Sequence, residues 1–357
     1  MINDLKNRNI VFDALKVFLA LGVLFAHCVA HFGPESVVAL KKPILYSAVF
    51  RVPAFYFISG CILSNQLFKL YRKPVNYFKE TFNIISRKLH QLIIPAVLFS
   101  LLPSFSEGIE AILGFHTFFY FLPSLFTMIL LYCMISLFIK DHSIKLKTFI
   151  LGSYALLTTL LAYYIDGLPN YFTPLHWDTT LIGNIFFILG VLTTMHSKRS
   201  FPLIKKWWFF IFTFALYTWL FTCIDKYGDI KESKITFLLQ EIIAPCVGIY
   251  AILSLFLIIF KYIDHIPIIK RVALYLSQRS LAMYVMQNFV FFILFTLIDI
   301  SQFSNGAYVS LWMAPLTVFG VLLIHDVIIL IPGINKYLFG RNKRLLSLRQ
   351  VFNASSG

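Results

Sequence analysis

Charged residues are scarce in this sequence, and acidic residues are the scarcest of them. Asp, Glu, Lys and Arg make up 13% of the 357 residues, and Asp and Glu together number only 16. An ordinary soluble domain carries about 25% charged residues, so that class of protein is excluded. Hydrophobic residues make up 59% of the chain and form many runs long enough to span a bilayer. The sequence therefore predicts an all-α polytopic membrane protein.

Several chemical signatures are also missing. The five cysteines lie scattered in apolar runs, with neither metal-ligand spacing nor a disulfide framework (Cys28, Cys61, Cys133, Cys223 and Cys246). We therefore predict no metal site. The sequence contains no Gly-x-Ser-x-Gly element, which argues against a serine esterase of the α/β-hydrolase type. No internal repeat, soluble domain or low-complexity linker interrupts the apolar runs.

The apolar runs predict about ten transmembrane helices. They cover residues 10–31, 44–66, 91–105, 118–139, 148–165, 179–195, 207–224, 235–260, 280–298 and 308–331. Ten spans place both termini on one side, and 24 of the 31 Lys and Arg residues fall on that side, against five on the other. This bias predicts that both termini are cytoplasmic. It also explains the net charge of +15 without a nucleic-acid partner.

This topology divides the chain into a ten-helix membrane domain, residues 1–340, and a basic cytoplasmic tail, residues 341–357. The predicted cytoplasmic segment 67–90 is the most basic of the loops. It either rests on anionic lipid or binds the phosphates of a ligand that enters from the cytoplasm. Membrane lipid is therefore an expected partner.

The first span carries two polar side chains on one face. Lys16 and His27 are 11 positions apart, which is three helical turns plus about 20°. The two residues lie about 16 Å apart along the helix axis. A cation near the inner surface and a titratable imidazole in the outer half would line a polar slot through the membrane. Alternatively, Lys16 extends to headgroups and His27 bonds a neighbouring helix.

Other polar residues in or near spans are candidates for the same slot. Arg51 enters the second span at about the depth of His27, where it could stabilise a developing oxyanion. Glu241 in the eighth span, with His116 and Trp177 at the outer rim, could bind an acceptor. His325 and Asp326 are adjacent, so they cannot both face one slot, and we expect them to bond other helices.

A histidine flanked by an arginine and open to water is a suitable general base for a hydroxyl. The spacing of Lys16 and His27 is of the order of the distance between the phosphates and the sulfur of a coenzyme A thioester. Lys16 and the segment 67–90 could hold those phosphates while the acyl carbon approaches His27. Acyl-CoA is therefore the expected donor.

Several motifs occur in a specific order along the chain. FDALK at 12–16 is followed by His27, by PAFYFISG at 53–60, by LIIP at 92–95 and by FYFLPSLF at 119–126. Late in the chain, SLAMYVMQ at 280–287 is similar to a Ser-x-x-x-Tyr-x-x-His element. Together these motifs resemble the acyltransferase type 3 family of integral-membrane O-acyltransferases, especially its fucose O-acetylase-like branch.

The resemblance implies a reaction and a set of roles. Members transfer an acyl group, usually acetyl, from cytoplasmic acyl-CoA to a sugar hydroxyl of a surface polysaccharide or its lipid-linked precursor. We accordingly expect acetyl-CoA as donor and a bacterial plasma membrane as location. By position, His27 matches the catalytic histidine, Lys16 matches a basic partner that is Arg in many members, and Ser59 with Gly60 matches a Ser-Gly element.

Two departures from the family pattern stand out. The cytoplasmic Arg-x-x-Arg pair is represented only by Arg87 with His90, or by Lys88 with Gln91. Gln287 stands where many members have His, and a carboxamide can hydrogen-bond an acceptor but cannot act as a base. We expect the acyl donor to be bound by Lys16, Arg87, Lys88 and Ser59. We expect the acceptor to be bound by Glu241, Gln287, His116 and Trp177.

A transporter is the main alternative function. The same residues could line the path of an exported polysaccharide or lipid-linked saccharide. Proton-coupled pumps use intramembrane carboxylates, however, and here only Glu241 and Asp326 lie well inside predicted spans. A sensor that has lost activity is disfavoured because Lys16 and His27 are both retained.

Overall fold

The computed structural model describes residues 10–32, 37–71, 76–107, 121–165, 177–227, 238–263, 265–297 and 306–331, together with residues 345 and 351. Within these ranges the chain is helical and forms no strand. Eleven α-helices are present: α1 (Ile10–Phe32), α2 (Val37–Tyr71), α3 (Tyr77–Glu107), α4 (Phe121–Ile139), α5 (Ile144–Ile165), α6 (Trp177–Met195), α7 (Ser197–Ile204), α8 (Trp207–Tyr227), α9 (Ala244–Ile263), α10 (Pro267–Leu297) and α11 (Gly306–Ile328). A π-helical turn, Leu238–Ile243, precedes α9.

The all-helical membrane architecture predicted from the apolar runs is confirmed for the described residues. Seven of their helices are long and apolar enough to cross a membrane, or eight if the bent pair α6–α7 forms one span. The predicted span 91–105 lies within α3, and residues 280–297 of the predicted span 280–298 lie within α10. The total of about ten spans and the cytoplasmic location of the termini stay predictions.

Segments predicted as basic loops are largely helical. Helix α2 continues to Tyr71, α3 begins at Tyr77, and α10 begins at Pro267, so most of 67–90 and 261–279 is helix. Lys, Arg and Glu have high helix propensity, and proline is favoured at the first position of a helix. The charged segments therefore extend the apolar helices instead of breaking them.

The predicted loop 196–206 also contains a helix. Helix α7 is bent by 101° from α6, and its cations Lys198 and Arg199 are exposed. Ile204 at its end is buried, and the Ile204 carbonyl accepts a hydrogen bond of 2.6 Å from Ser254 Oγ. A short helix with one apolar and one basic face, nearly perpendicular to a span, is typical of a membrane interface.

The chain clusters into two compact units. The first contains Met1–Arg51, Leu203–Ile331 and Lys343–Gly357, and the second contains Val52–Pro202 and Pro332–Asn342. In the first unit, α1 packs mainly against α10 and α11, and α8 packs against α9. In the second unit, α3 packs against α4, and α5 packs against α6.

Helices α10 and α11 of the first unit are antiparallel. In the first half of α10, Arg279 pairs with Asp326 near the end of α11. Further along α10, Val290 lies against Gly320, where a Cβ atom would be 3.0 Å from Val290 Cγ1. Residue numbers therefore rise along one helix as they fall along the other.

Helix α1 runs parallel to α10. Asp13 near the start of α1 accepts a hydrogen bond from Ser277 near the start of α10. At the other end of α1, Cys28 Sγ lies 3.9 Å from Thr317 Oγ1 of α11, one turn from Gly320. The inner face of α1 is therefore covered along its length by α10 and α11.

In the second unit, α2 and α6 meet through two glycines. A Cβ atom on Gly60 would overlap the carbonyl oxygen of Phe187, and a Cβ atom on Gly190 would overlap that of Phe57. The Cys61 thiol also donates to the Gly190 carbonyl at 3.2 Å. Small residues allow such close backbone approach between membrane helices.

We predict that Gly60→Ala and Gly190→Ala each lower the thermal unfolding temperature of the purified protein. The added methyl group meets backbone atoms that cannot rotate away, and overpacking of this kind costs about 1–3 kcal/mol. Gly152→Ala on α5 is the matched control, because a methyl group added there would meet no neighbouring atom within 4 Å. Unfolding of either variant at the temperature of the Gly152→Ala protein would contradict this account of the contact.

Candidate functional site

Lys16 and His27 form a polar line along one face of α1, in the first unit. Lys16 and His27 lie on one uninterrupted α-helix and are both partly buried. Asp13 and Ala20, on the same side of the helix, are buried, whereas Phe18 on the opposite side is 44% exposed. The polar line therefore shares its face of α1 with buried residues, and apolar residues elsewhere around the helix, such as Leu15 and Leu19, are buried as well.

Arg51 of α2 lies against the middle of α1. Its side chain is buried, and Nη1 donates a hydrogen bond to the Gly22 carbonyl. A Cβ atom on Gly22 would be 3.2 Å from Arg51 Cδ, so the glycine makes room for the arginine stem. Gly22 lies between Lys16 and His27 in height but about 140° from His27 around the helix. Arg51 therefore contacts α1 on a side well away from the polar line.

Tyr217 of α8 interacts electrostatically with Arg51 and belongs to a buried aromatic cluster. The rings of Phe50 and Tyr217 pack edge to face with centroids 5.6 Å apart, and both side chains are buried. The Tyr217 hydroxyl donates to the backbone carbonyl of Tyr46. This setting keeps a guanidinium in an apolar environment, where its electrostatic effect on a nearby reacting group is strong.

Gln287 of α10 lies at an intermediate height. Ser277 is level with Asp13, and ten further residues of α10 rise about 15 Å, which places Gln287 between the levels of Lys16 and His27. The side chain is 3% exposed, and Gln287 Oε1 has no hydrogen-bond partner among the described residues. A buried amide oxygen without a partner is unusual in a folded protein and is suited to a ligand donor.

Arg279 in the first half of α10 and Asp326 of α11 form a buried ion pair that no sequence motif indicated. Arg279 is 1% exposed, and its Nε and Nη2 bind Asp326 Oδ1 at 2.8 and 2.7 Å. The Tyr275 hydroxyl donates to Asp326 Oδ2 at 2.8 Å, and His325 Nδ1 lies 3.1 Å from Oδ1. Burial raises the pKa of Tyr275 to about 12, so this phenol remains a donor. The expectation that Asp326 bonds another helix is confirmed.

The remaining donor candidates lie in the second unit. Ser59 of α2 is partly buried beside Gly60, whose own position is explained by packing against α6. On α3, Arg87 is exposed, whereas Lys88 is partly buried and interacts electrostatically with Cys133 of α4. Arg87 and Lys88 both precede the apolar half of α3.

Two of the three remaining acceptor candidates have a described backbone. Glu241 lies in the π-helical turn and is exposed. Pro245 has no N–H to donate to the Glu241 carbonyl, which favours a wider turn at this point. Trp177 is the first residue of α6. His116 lies outside the described residues.

A family model described as an acyltransferase domain matches residues 9–330. The chain belongs to this acyltransferase family. No curated protein and no solved structure gives a significant match. The family match covers all of α1 to α11 and agrees with the motifs found in the sequence. The chain is therefore a membrane acyltransferase.

We predict that Asp326→Asn strongly destabilises the acyltransferase. The substitution leaves the Arg279 cation buried without its counter-ion, and breaking a buried pair from one side costs about 3–5 kcal/mol. Replacing both partners, as in Arg279→Leu with Asp326→Leu, removes the uncompensated charge. The double variant should therefore unfold at a higher temperature than Asp326→Asn, and the reverse order would contradict an ion pair with these energetics.

Proposed function

We propose that the protein is an O-acyltransferase that moves an acetyl or other short acyl group from cytoplasmic acyl-CoA to a sugar hydroxyl. The acceptor is a surface polysaccharide or its lipid-linked precursor, and the membrane is the plasma membrane of a bacterium. The observation that carries this proposal is that Lys16 and His27 lie on one face of a continuous helix and are both partly buried, with Arg51 bound to α1 at a height between them.

His27 acts as the general base. Its imidazole takes the proton from the acceptor hydroxyl as the hydroxyl oxygen forms a bond to the thioester carbonyl carbon. The carbon–sulfur bond then breaks, and the proton passes from the imidazole to the departing thiolate. A relay in which His27 assists transfer through an acyl intermediate uses the same geometry. In both cases Arg51 stabilises the negative charge that develops on the carbonyl oxygen.

Lys16 binds the anionic part of the donor. Its position about 16 Å from His27 along α1 fits a ligand whose phosphates and reacting carbon are far apart. In the second unit, Arg87, Lys88 and Ser59 stay proposed donor-binding residues on the grounds of the sequence alone. We expect the lysine ammonium to act as a single charge, so that Arg should substitute for it.

Gln287 binds the acceptor. Its buried Oε1 can accept a hydrogen bond from a sugar hydroxyl, and its amide can donate one. Because a carboxamide has no titratable proton, His27 is left as the base in the proposed reaction. Glu241, Trp177 and His116 are proposed to extend the acceptor site toward the outer surface.

We predict that His27→Ala abolishes acylation of the surface polysaccharide. Loss of a general base lowers the rate by about 10²–10⁴-fold. Acetate released from the polysaccharide by mild alkali should fall to the level of cells in which the coding gene is deleted, while the amount of protein in the membrane stays normal. His142→Ala is a suitable control, because His142 is exposed in the turn after α4. Normal acetate release by the His27→Ala variant would rule out the proposed mechanism.

We also predict that Lys16→Gln weakens acetyl-CoA binding and that Lys16→Arg preserves it. The first substitution removes the charge, whereas the second keeps it. Isothermal titration of the purified protein with acetyl-CoA measures both. An exporter of saccharides has no need of this ligand, so absence of acetyl-CoA binding by the unaltered protein would favour the transporter instead.

A further inference from the structure

A buried carboxylate stands one helical turn before Lys16. Asp13 is the single acidic residue of α1 and is 4% exposed. Its Oδ1 accepts a hydrogen bond of 2.6 Å from Ser277 Oγ of α10. Bonds of this length between a hydroxyl and a carboxylate are among the stronger hydrogen bonds in proteins. An ionisable side chain inside a membrane helix is costly to keep and points to a role.

The hydrogen bond from Ser277 fixes the position of the carboxylate against α10. Asp13 and Lys16 are three positions apart on a continuous helix, so their Cβ atoms are about 5–6 Å apart. An acidic and a basic side chain at this spacing are neighbours on the helix surface, so the Asp13 carboxylate can hold the Lys16 ammonium.

Holding a lysine side chain has a clear physical benefit. Its flexible four-carbon stem has many rotamers, and that freedom is lost when the ammonium meets a ligand. A carboxylate anchored to a neighbouring helix restricts the ammonium before the ligand arrives. Pairing with an acidic group also lowers the cost of keeping the cation among apolar helices.

We propose that Asp13 is a positioning residue, which Ser277 anchors and which holds Lys16 at the inner end of the polar line for an anionic acyl donor. The proposal rests on the proposed function, because Lys16 is taken as the donor-binding cation. Asp13 itself does not contact the donor and acts through Lys16.

The test is acetyl-CoA binding by the purified full-length protein. Asp13→Asn keeps the shape of the side chain and an oxygen that can accept from Ser277, but it removes the charge. We expect the dissociation constant for acetyl-CoA to rise about tenfold, the size expected for losing one interaction with a charged group. Ser277→Ala should raise it in the same direction by releasing the carboxylate. Ser254→Ala is the matched control, since it removes another buried hydroxyl with a 2.6 Å bond in the same unit.

The decisive comparison repeats Asp13→Asn in the Lys16→Gln protein. If Asp13 acts through Lys16, the second substitution should leave the dissociation constant of the Lys16→Gln protein unchanged. An equal rise in both backgrounds, or no rise in either, would overturn the proposal. Should Asp13→Asn fail to fold, Ser277→Ala in the two backgrounds gives the same comparison.

The two proposals can fail separately. Acetate release that persists in the His27→Ala strain overturns the proposed mechanism, whatever the Asp13 variants do. Loss of acetate release in that strain, with acetyl-CoA binding unaffected by Asp13→Asn, overturns the positioning role alone.

Discussion

The free-energy cost of removing polar side chains from water determines how the helices of the first compact unit contact one another. A helix that spans a membrane satisfies its backbone internally, but each polar side chain must find a partner on a neighbouring helix. Asp13 is bonded by Ser277, Arg279 by Asp326, and the Arg51 guanidinium binds a backbone carbonyl of α1. These contacts fix the relative rotation of α1, α10 and α11, and therefore the direction in which the polar line points.

Hydropathy predicted the helical membrane fold but not the lengths of the helices. Mean hydropathy reports which residues can contact lipid, whereas helix formation depends on propensity and capping. Helix α3 therefore begins at Tyr77 although its apolar half begins near residue 91, and α7 forms in a segment that hydropathy assigns to a loop. The charged ends of these helices carry no signal that distinguishes them from polar connections.

Helical periodicity placed Lys16 and His27 on one face because both residues lie on one helix. The sequence also placed Arg51 at about the membrane depth of His27, and in the structure Arg51 does contact α1. The pairing of Asp13 with Ser277 joins residues 264 positions apart, and no local pattern encodes such a contact. The i, i+3 spacing of Asp13 and Lys16 was visible in the sequence, however, and such a spacing is a usable signal for an acid inside a membrane helix. Glu241 is different, because the sequence carries a local signal there. Pro245 cannot donate a hydrogen bond to the Glu241 carbonyl, and residues Leu238–Ile243 form a wider, π-helical turn.

The glycine contact between α2 and α6 has a mechanical consequence. With two backbones touching at both Gly60 and Gly190, neither helix can turn about its own axis without driving a carbonyl oxygen into the other chain segment. Side chains that usually act as a compliant layer between helices are missing at these points. Ser59, which precedes Gly60, is therefore held at a fixed distance from the α6 backbone, because no side chain separates the two helices at this contact.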